Sequence, residues 1–248
     1  MMFLFKPKPI YIDCFTANAS AHEYAPIQLA NHFIPEWWKQ LPKSFNLEYE
    51  KPHPPLVVST MRRCAGFVNI YSRGLMLPLW SDLSIKATLE GVVGWRYADR
   101  ESNCDSHYPQ EVGPMLEEAN VTHIKIVSPW TFYCKENVQW YFTQPIWNHK
   151  VTNDFYVPSG IINYKYQGTT HINIFIRRQD HFFTIEHGTP MAHIVPLSDR
   201  PIKIKNHLLS KEEYQKKNSL HRPVFFENSY YKKMRLTQDK ESKCPFNF

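Results

Sequence analysis

The forty residues from Pro158 to Leu197 constrain the fold more than any other part of the chain. His171–Arg177 alternates apolar and polar side chains strictly, and Gly160–Tyr166, Phe182–Glu186 and Met191–Leu197 are β-rich around it. Turn residues fall between these segments at Gln167-Gly168, Gln179-Asp180 and His187-Gly188-Thr189-Pro190. A period of two commits one face of each segment to a core, and turn chemistry at every boundary ends one strand and starts the next. The run reads as a four-stranded antiparallel meander with Gly168 and Gly188 at turns, and it predicts a mainly β fold.

The rest of the chain is read around that run. Residues 3–13 carry prolines at positions 7 and 9, so an edge strand is the most they predict. Pro26–Phe33 and Pro35–Leu41 read as short helices, with Pro35 suited to a first helical position. Trp37 and Trp38, being adjacent, cannot share a helix face; one is expected in the core and the other at a surface or a pocket mouth. Lys51-Pro-His-Pro-Pro55 is a stiff link into a strand at Leu56–Thr60, and two apolar runs reverse about Ser72-Arg73-Gly74. Further strands are expected at Thr88–Tyr97, Thr122–Val127, Val138–Phe142 and Asp154–Val157, with an exposed loop over Ala98–Gly113. Ser210-Lys-Glu-Glu213 is a capping-box pattern opening a charged helix to about Asn218. Three parts follow: an N-terminal strap with short helices (1–50), a β domain (51–200) and a basic C-terminal extension (201–248).

Composition narrows the function classes. The extension holds 11 Lys and Arg against 5 Asp and Glu, leaving 18 against 18 for residues 1–200. Nucleic acid is therefore a candidate partner of the tail alone, and a solvated extension is the simpler reading. The five cysteines are scattered, with no C-x-x-C pair, which suits a reducing, cytoplasmic setting. No apolar run approaches the roughly 20 residues of a membrane span.

The run Gly160-Ile-Ile-Asn-Tyr-Lys-Tyr-Gln-Gly168, Ile172-Asn-Ile-Phe175 and Phe183-Thr-Ile-Glu-His-Gly-Thr-Pro-Met-Ala-His-Ile-Val195 resembles the dUTPase and dCTP deaminase superfamily. That resemblance implies a β-clip, or distorted barrel, and a tendency to homo-oligomers. It also implies that the water-activating carboxylate of those enzymes falls on Asn163, the second carboxylate on Lys165 and a pocket glutamine on His193. An amide is no general base, so hydrolysis of dUTP is not expected. Across residues 30–200, the pattern Ile34-Pro-Glu-Trp-Trp-Lys39, Met61-Arg-Arg-Cys-Ala-Gly-Phe67, Leu77-Pro-Leu-Trp-Ser-Asp82 and Ser128-Pro-Trp130 is similar to a family of phage and bacterial proteins of about this length. That second resemblance implies a phage origin, hence the host cytoplasm, and supplies no activity.

These readings make His193, Tyr166 and Asn163 the rim of one expected concave site for a small ligand, with Trp80 or one of Trp37 and Trp38 near its mouth. Tyr offers a stacking face, Asn a paired donor and acceptor, and His a titratable group. Arg63 and Asp82 would form a charged floor. An enzyme would use His193 on a nucleotide, or with a metal held by His171 and His193, although no H-x-D or H-E-x-x-H spacing enforces such a site. A virion or assembly component is the third reading, with a protein partner in place of a small molecule. No pattern names a cofactor.

Overall fold

The computed structural model describes residues 7–47, 56–107, 109–148 and 154–220. The proline link at 51–55 and the tail beyond 220 lie outside the described residues, as does the start of the expected N-terminal strand.

Seventeen short strands form five sheets among these residues. A three-stranded sheet runs β10 (Thr131–Tyr133), β1 (Ile10–Thr16), β17 (Ile202–Leu208). A five-stranded sheet runs β13 (Gly160–Ile162), β11 (Trp140–Thr143), β16 (Pro190–Pro196), β5 (Leu75–Pro78), β2 (Gln28–Leu29). A four-stranded sheet runs β12 (Phe155–Tyr156), β14 (Ile172–Arg177), β9 (Val121–Ile126), β8 (Cys104–Asp105). Smaller sheets join β15 (His181–Ile185), β6 (Leu83–Ala87) and β7 (Val93–Tyr97), and β3 (Ser44–Leu47) with β4 (Leu56–Ser59). The helices are α1 (Ala19–Tyr24), α2 (Glu36–Gln40), α3 (Ala65–Tyr71), α4 (Pro109–Val112), α5 (Met115–Glu118) and α6 (Lys211–Leu220). The fold is mainly β, and among the described residues no sheet closes into a barrel.

The expected meander is corrected. All four segments are strands, but no two consecutive ones pair: β13 joins β11, β14 joins β9 and β12, β15 joins β6, and β16 lies between β11 and β5. Alternation decides which face a strand buries and leaves its partner open. β16 is buried on both faces, so it needs neighbours on both edges and takes them from distant parts of the chain. The first segment is also shorter than read, because the Asn163 side chain accepts from the Lys165 amide at 3.1 Å and its carbonyl accepts from Tyr166 and Gln167. That Asx turn ends the strand at Ile162. Gly188 does sit at a turn, with φ of 76°.

Other differences have local causes. β1 is a central strand because it begins after Pro9, leaving every later amide free to pair with both β10 and β17. Residues 202–208, read as extension, form β17, parallel to β1 from Ile10↔Ile202 to Thr16↔Leu208. The first apolar run before Ser72 is the helix α3, and residues 26–33 give β2 and a 3-10 turn. The loop after Ala98 contains β8, which buries Cys104. The capping box is formed as read: the Ser210 amide donates to the Glu213 carboxylate at 3.0 Å, and the Glu213 amide to the Ser210 hydroxyl at 3.2 Å.

One apolar cluster holds most of the sheets together, reaching from Ile10 and Ile12 through Leu75, Ile124, Trp130 and Ile174 to Ile194. Each such aliphatic side chain contributes about 1.5–3 kcal/mol by leaving water. A second cluster stacks Phe67 on Trp38 at 4.8 Å and on Tyr71 at 4.7 Å, and seats α3 beneath α2.

Candidate functional site

The residues that the sequence grouped into one site are dispersed. His193 is 2% exposed, and its Nε2 lies 2.8 Å from the Arg73 carbonyl oxygen. A carbonyl only accepts, so Nε2 carries the proton and the ring is a satisfied strand histidine. Burial holds its pKa below the ordinary value, opposed in part by that bond. Asn163 is the turn cap described above, and its amide nitrogen donates to Asn137 Oδ1 at 2.7 Å. Thr143 lies opposite His193, whereas Trp140 lies opposite Ile162. His193 and Asn163 are thus at least three residues apart along β11, about 10 Å, and on opposite sides of it. Half-buried Tyr166 lies beyond Asn163, beneath the Lys165 ammonium at 5.4 Å.

Trp80 is 3% exposed, stacks on Tyr97 and donates its indole N–H to Ser102 Oγ at 2.7 Å, so it lines no mouth. Asp82 belongs to His187 rather than Arg63: it accepts from the His187 amide at 2.7 Å and faces the ring nitrogen Nδ1 at 3.3 Å. The amide bond does most to hold its carboxyl below the usual range. Arg63 sits exposed in the 3-10 turn Met61–Arg63, while Arg62 covers the Trp38 ring at 4.3 Å. Trp37 and Trp38 are both half-buried on Phe67, each donating its indole N–H to a backbone carbonyl, of Trp147 and Met61 respectively. His171 and His193 do not form a metal site: no cluster of three or more His, Cys, Asp or Glu able to hold a metal occurs among the described residues.

A different place has the properties of a site. A cleft of about 650 Å³ opens between the β9–β14 pair and the β13 edge of the five-stranded sheet. Its apolar wall is Val127, Phe142, Pro158 and Ile162. Its polar wall is Lys125 of β9, Asn173 of β14, and His107 and His171 from the loops leading away from β8 and into β14. Ser159, Gln167, Thr169, Thr170 and Asn218 complete the rim. The volume falls within the range of small-molecule sites, and apolar walls with a few convergent polar groups are their usual make-up.

Strand register puts the polar wall together. Lys125 pairs with Asn173 on one side and Asp105 on the other, and His123 pairs with Phe175 on the same face. Lys125 Nζ meets Asp105 at 2.7 Å. The His107 amide donates to His123 Nδ1 at 3.3 Å, so the neutral His123 ring carries its proton on Nε2 and gives it to Asn173 Oδ1 at 3.1 Å. This leaves the NH2 group of Asn173 as the donor available to the cleft. Burial pulls the His123 pKa down, with the Asn173 bond opposing it.

The His171 ring is not fully satisfied. Its Nδ1 is buried without a hydrogen-bond partner. Protonating the ring would place a charge and an N–H where no acceptor stands, and its pKa is lowered by burial first and by the Lys125 charge second. On the opposite rim the Tyr141 hydroxyl donates to Ser159 Oγ at 3.1 Å, and Ser159 shares a hydrogen bond of 2.9 Å with Thr143, fixing the hydroxyl at the mouth. Among the described residues the lining contains one ammonium and no carboxylate. It can hold a polar ligand by several donors, and it presents no nucleophile paired with a base.

Sequence reasoning named His171 only as a metal ligand and did not single out Lys125, Asn173 or His107. The signal was there in part: in Thr122–Val127 the period of two puts His123 and Lys125 on one face, opposite Thr122, Ile124 and Ile126. Comparison with protein families, with curated proteins and with solved structures found no match to the chain.

Proposed function

We propose that this protein binds a small polar molecule in the cleft between β9–β14 and β13, and that its role is recognition rather than hydrolysis. The observation that carries the reading is the buried, unpartnered Nδ1 of His171 in the wall of a 650 Å³ cleft where strand register sets Lys125 beside Asn173. A buried polar atom without a partner costs about 1–3 kcal/mol, and such a cost is kept where a site needs the group. The sequence run that resembles the nucleotide enzymes supplies Gly160, Ile162, Gln167 and Asn173 to the lining, which supports a distant β-clip relationship. Asn163, standing where those enzymes have their water-activating carboxylate, is a turn cap outside the lining, which supports binding without that chemistry.

Gly160 provides the test. It is exposed, lines the cleft, and an added Cβ there would meet nothing within 4 Å. Gly160→Trp should therefore fill the cleft without straining β13. Saturation-transfer NMR with a set of small polar fragments should give signals from the wild-type protein that vanish in G160W at unchanged thermal stability. Signals that persist in G160W, or none from the wild type, would contradict the proposal.

A further inference from the structure

The charge of the cleft says what kind of molecule it takes. Among the described residues Lys125 is the one Lys or Arg in the lining, which holds no Asp or Glu; burial lowers the pKa of His171, and the His107 ring is paired with Glu111 at 3.4 Å. The Lys125 counterion, Asp105, is outside the lining and points to water: the Asp105 side chain is 57% exposed, that of Lys125 21%. An ammonium has three N–H donors, and Asp105 occupies one. A pair with so exposed a carboxylate is worth little, so the ammonium can turn to a second anion at small cost. Asn173 stands beside it with its NH2 group uncommitted, and Phe142 and Ile162 form the wall across from them.

We infer that the ligand of the cleft is a small organic monoanion, a carboxylate joined to an apolar body, with its charged end at Lys125 and Asn173 and its body against Phe142 and Ile162. This rests on the ligand-cleft reading above. A single ammonium matches a single negative charge. A triphosphate needs several cationic groups or a glycine-rich loop of backbone N–H donors, and among the described residues the lining has one Lys or Arg and one glycine. A cationic ligand would meet an ammonium with no carboxylate among the described lining residues to offset it.

The experiment titrates benzoate, benzamide and benzylamine, which share a ring and differ in charge, into the full-length protein and follows its amide resonances. Benzoate should bind about tenfold more tightly than benzamide, the effect of one charge-assisted contact in a partly desolvated site, and benzylamine should not bind. In Lys125→Met, which keeps the aliphatic stem, benzoate should fall to the affinity of benzamide while benzamide is unchanged. Benzamide binding as tightly as benzoate in the wild type, a result that needs no variant, would overturn the inference. So would failure of all three probes while other fragments still give G160W-sensitive signals. Loss of every G160W-sensitive signal would instead take down the cleft reading, and the anion with it.

Discussion

Gly74 joins α3 to β5 with a φ of 79°, and a side chain there would be strained twice. A left-handed conformation costs a non-glycine residue about 1–2 kcal/mol. A Cβ would also stand 2.4 Å from the Ile194 carbonyl oxygen, 3.0 Å from Val195 Cα and 3.1 Å from His193 Nε2. Two of these are backbone atoms of β16, the strand between β11 and β5, so relief requires moving a strand and not a rotamer. Overpacking of this kind costs about 1–3 kcal/mol. The shift would also disturb the bond between His193 and the neighbouring Arg73 carbonyl, leaving a buried N–H at a cost of about 1–3 kcal/mol. Gly74→Ala should therefore lose about 3–8 kcal/mol in urea unfolding followed by tryptophan fluorescence, a large share of a typical domain's stability. Gly113→Ala and Gly188→Ala are the controls: φ is 72° and 76° there, and an added Cβ meets nothing within 4 Å. They should lose only the conformational part, about 1 kcal/mol each. If G74A falls within about 0.5 kcal/mol of the controls, near the ordinary error of additivity, the argument from close approach to β16 is wrong.

The thiols should divide by burial. Cys14, Cys104 and Cys134 are buried, with burial raising the pKa of each, Cys104 to about 11, whereas Cys64 is half-buried. Maleimide labelling of the native protein with peptide mapping should spare those three, and modification of Cys104 before unfolding would count against the packing around β8. Stability should fall as pH drops below neutrality. His123, His171 and His193 have folded pKa values below the unfolded value near 6.5, so the unfolded chain binds more protons once pH passes that value. The loss develops from about pH 7 down to the folded values, with a limit of about 4 kcal/mol per pH unit for three protons. His193→Gln keeps a donor for the Arg73 carbonyl and removes one titration, so its slope should be shallower by about one proton; an unchanged slope would refute the assignment. Phe67→Ala, at the centre of the Trp38 and Tyr71 stack, should cost about 3–5 kcal/mol, and a loss under about 1 kcal/mol would show that α2 and α3 do not depend on it.

The sequence spoke most clearly where a side-chain pattern has one structural meaning. Alternation in His171–Arg177 and turn residues at Gly188 located strands and a turn that the structure contains. The same signals could not say that β16 would sit between strands about fifty and more than a hundred residues away, and the candidate site failed there: a meander would have carried His193 toward Asn163, and the observed pairing keeps them apart. Ile202-Lys-Ile-Lys-Asn-His-Leu208 alternates as well, but its lysines merge with a charged tail when composition is averaged. Its edge position reconciles the two, since lysine on an edge strand discourages pairing with further chains. The cleft was legible only as fragments, because Lys125, Asn173 and Gly160 come from three separate segments: register sets the first two side by side, and Gly160 faces them from a different sheet.

The central claim is that this cleft is a binding site, and a crystallographic soak with the polar fragments used for NMR tests it most directly. The account predicts electron density in the cleft, in contact with Lys125 or Asn173 on one side and Phe142 or Ile162 on the other. Density confined to other surfaces, in crystals where the cleft is open to solvent, would contradict it.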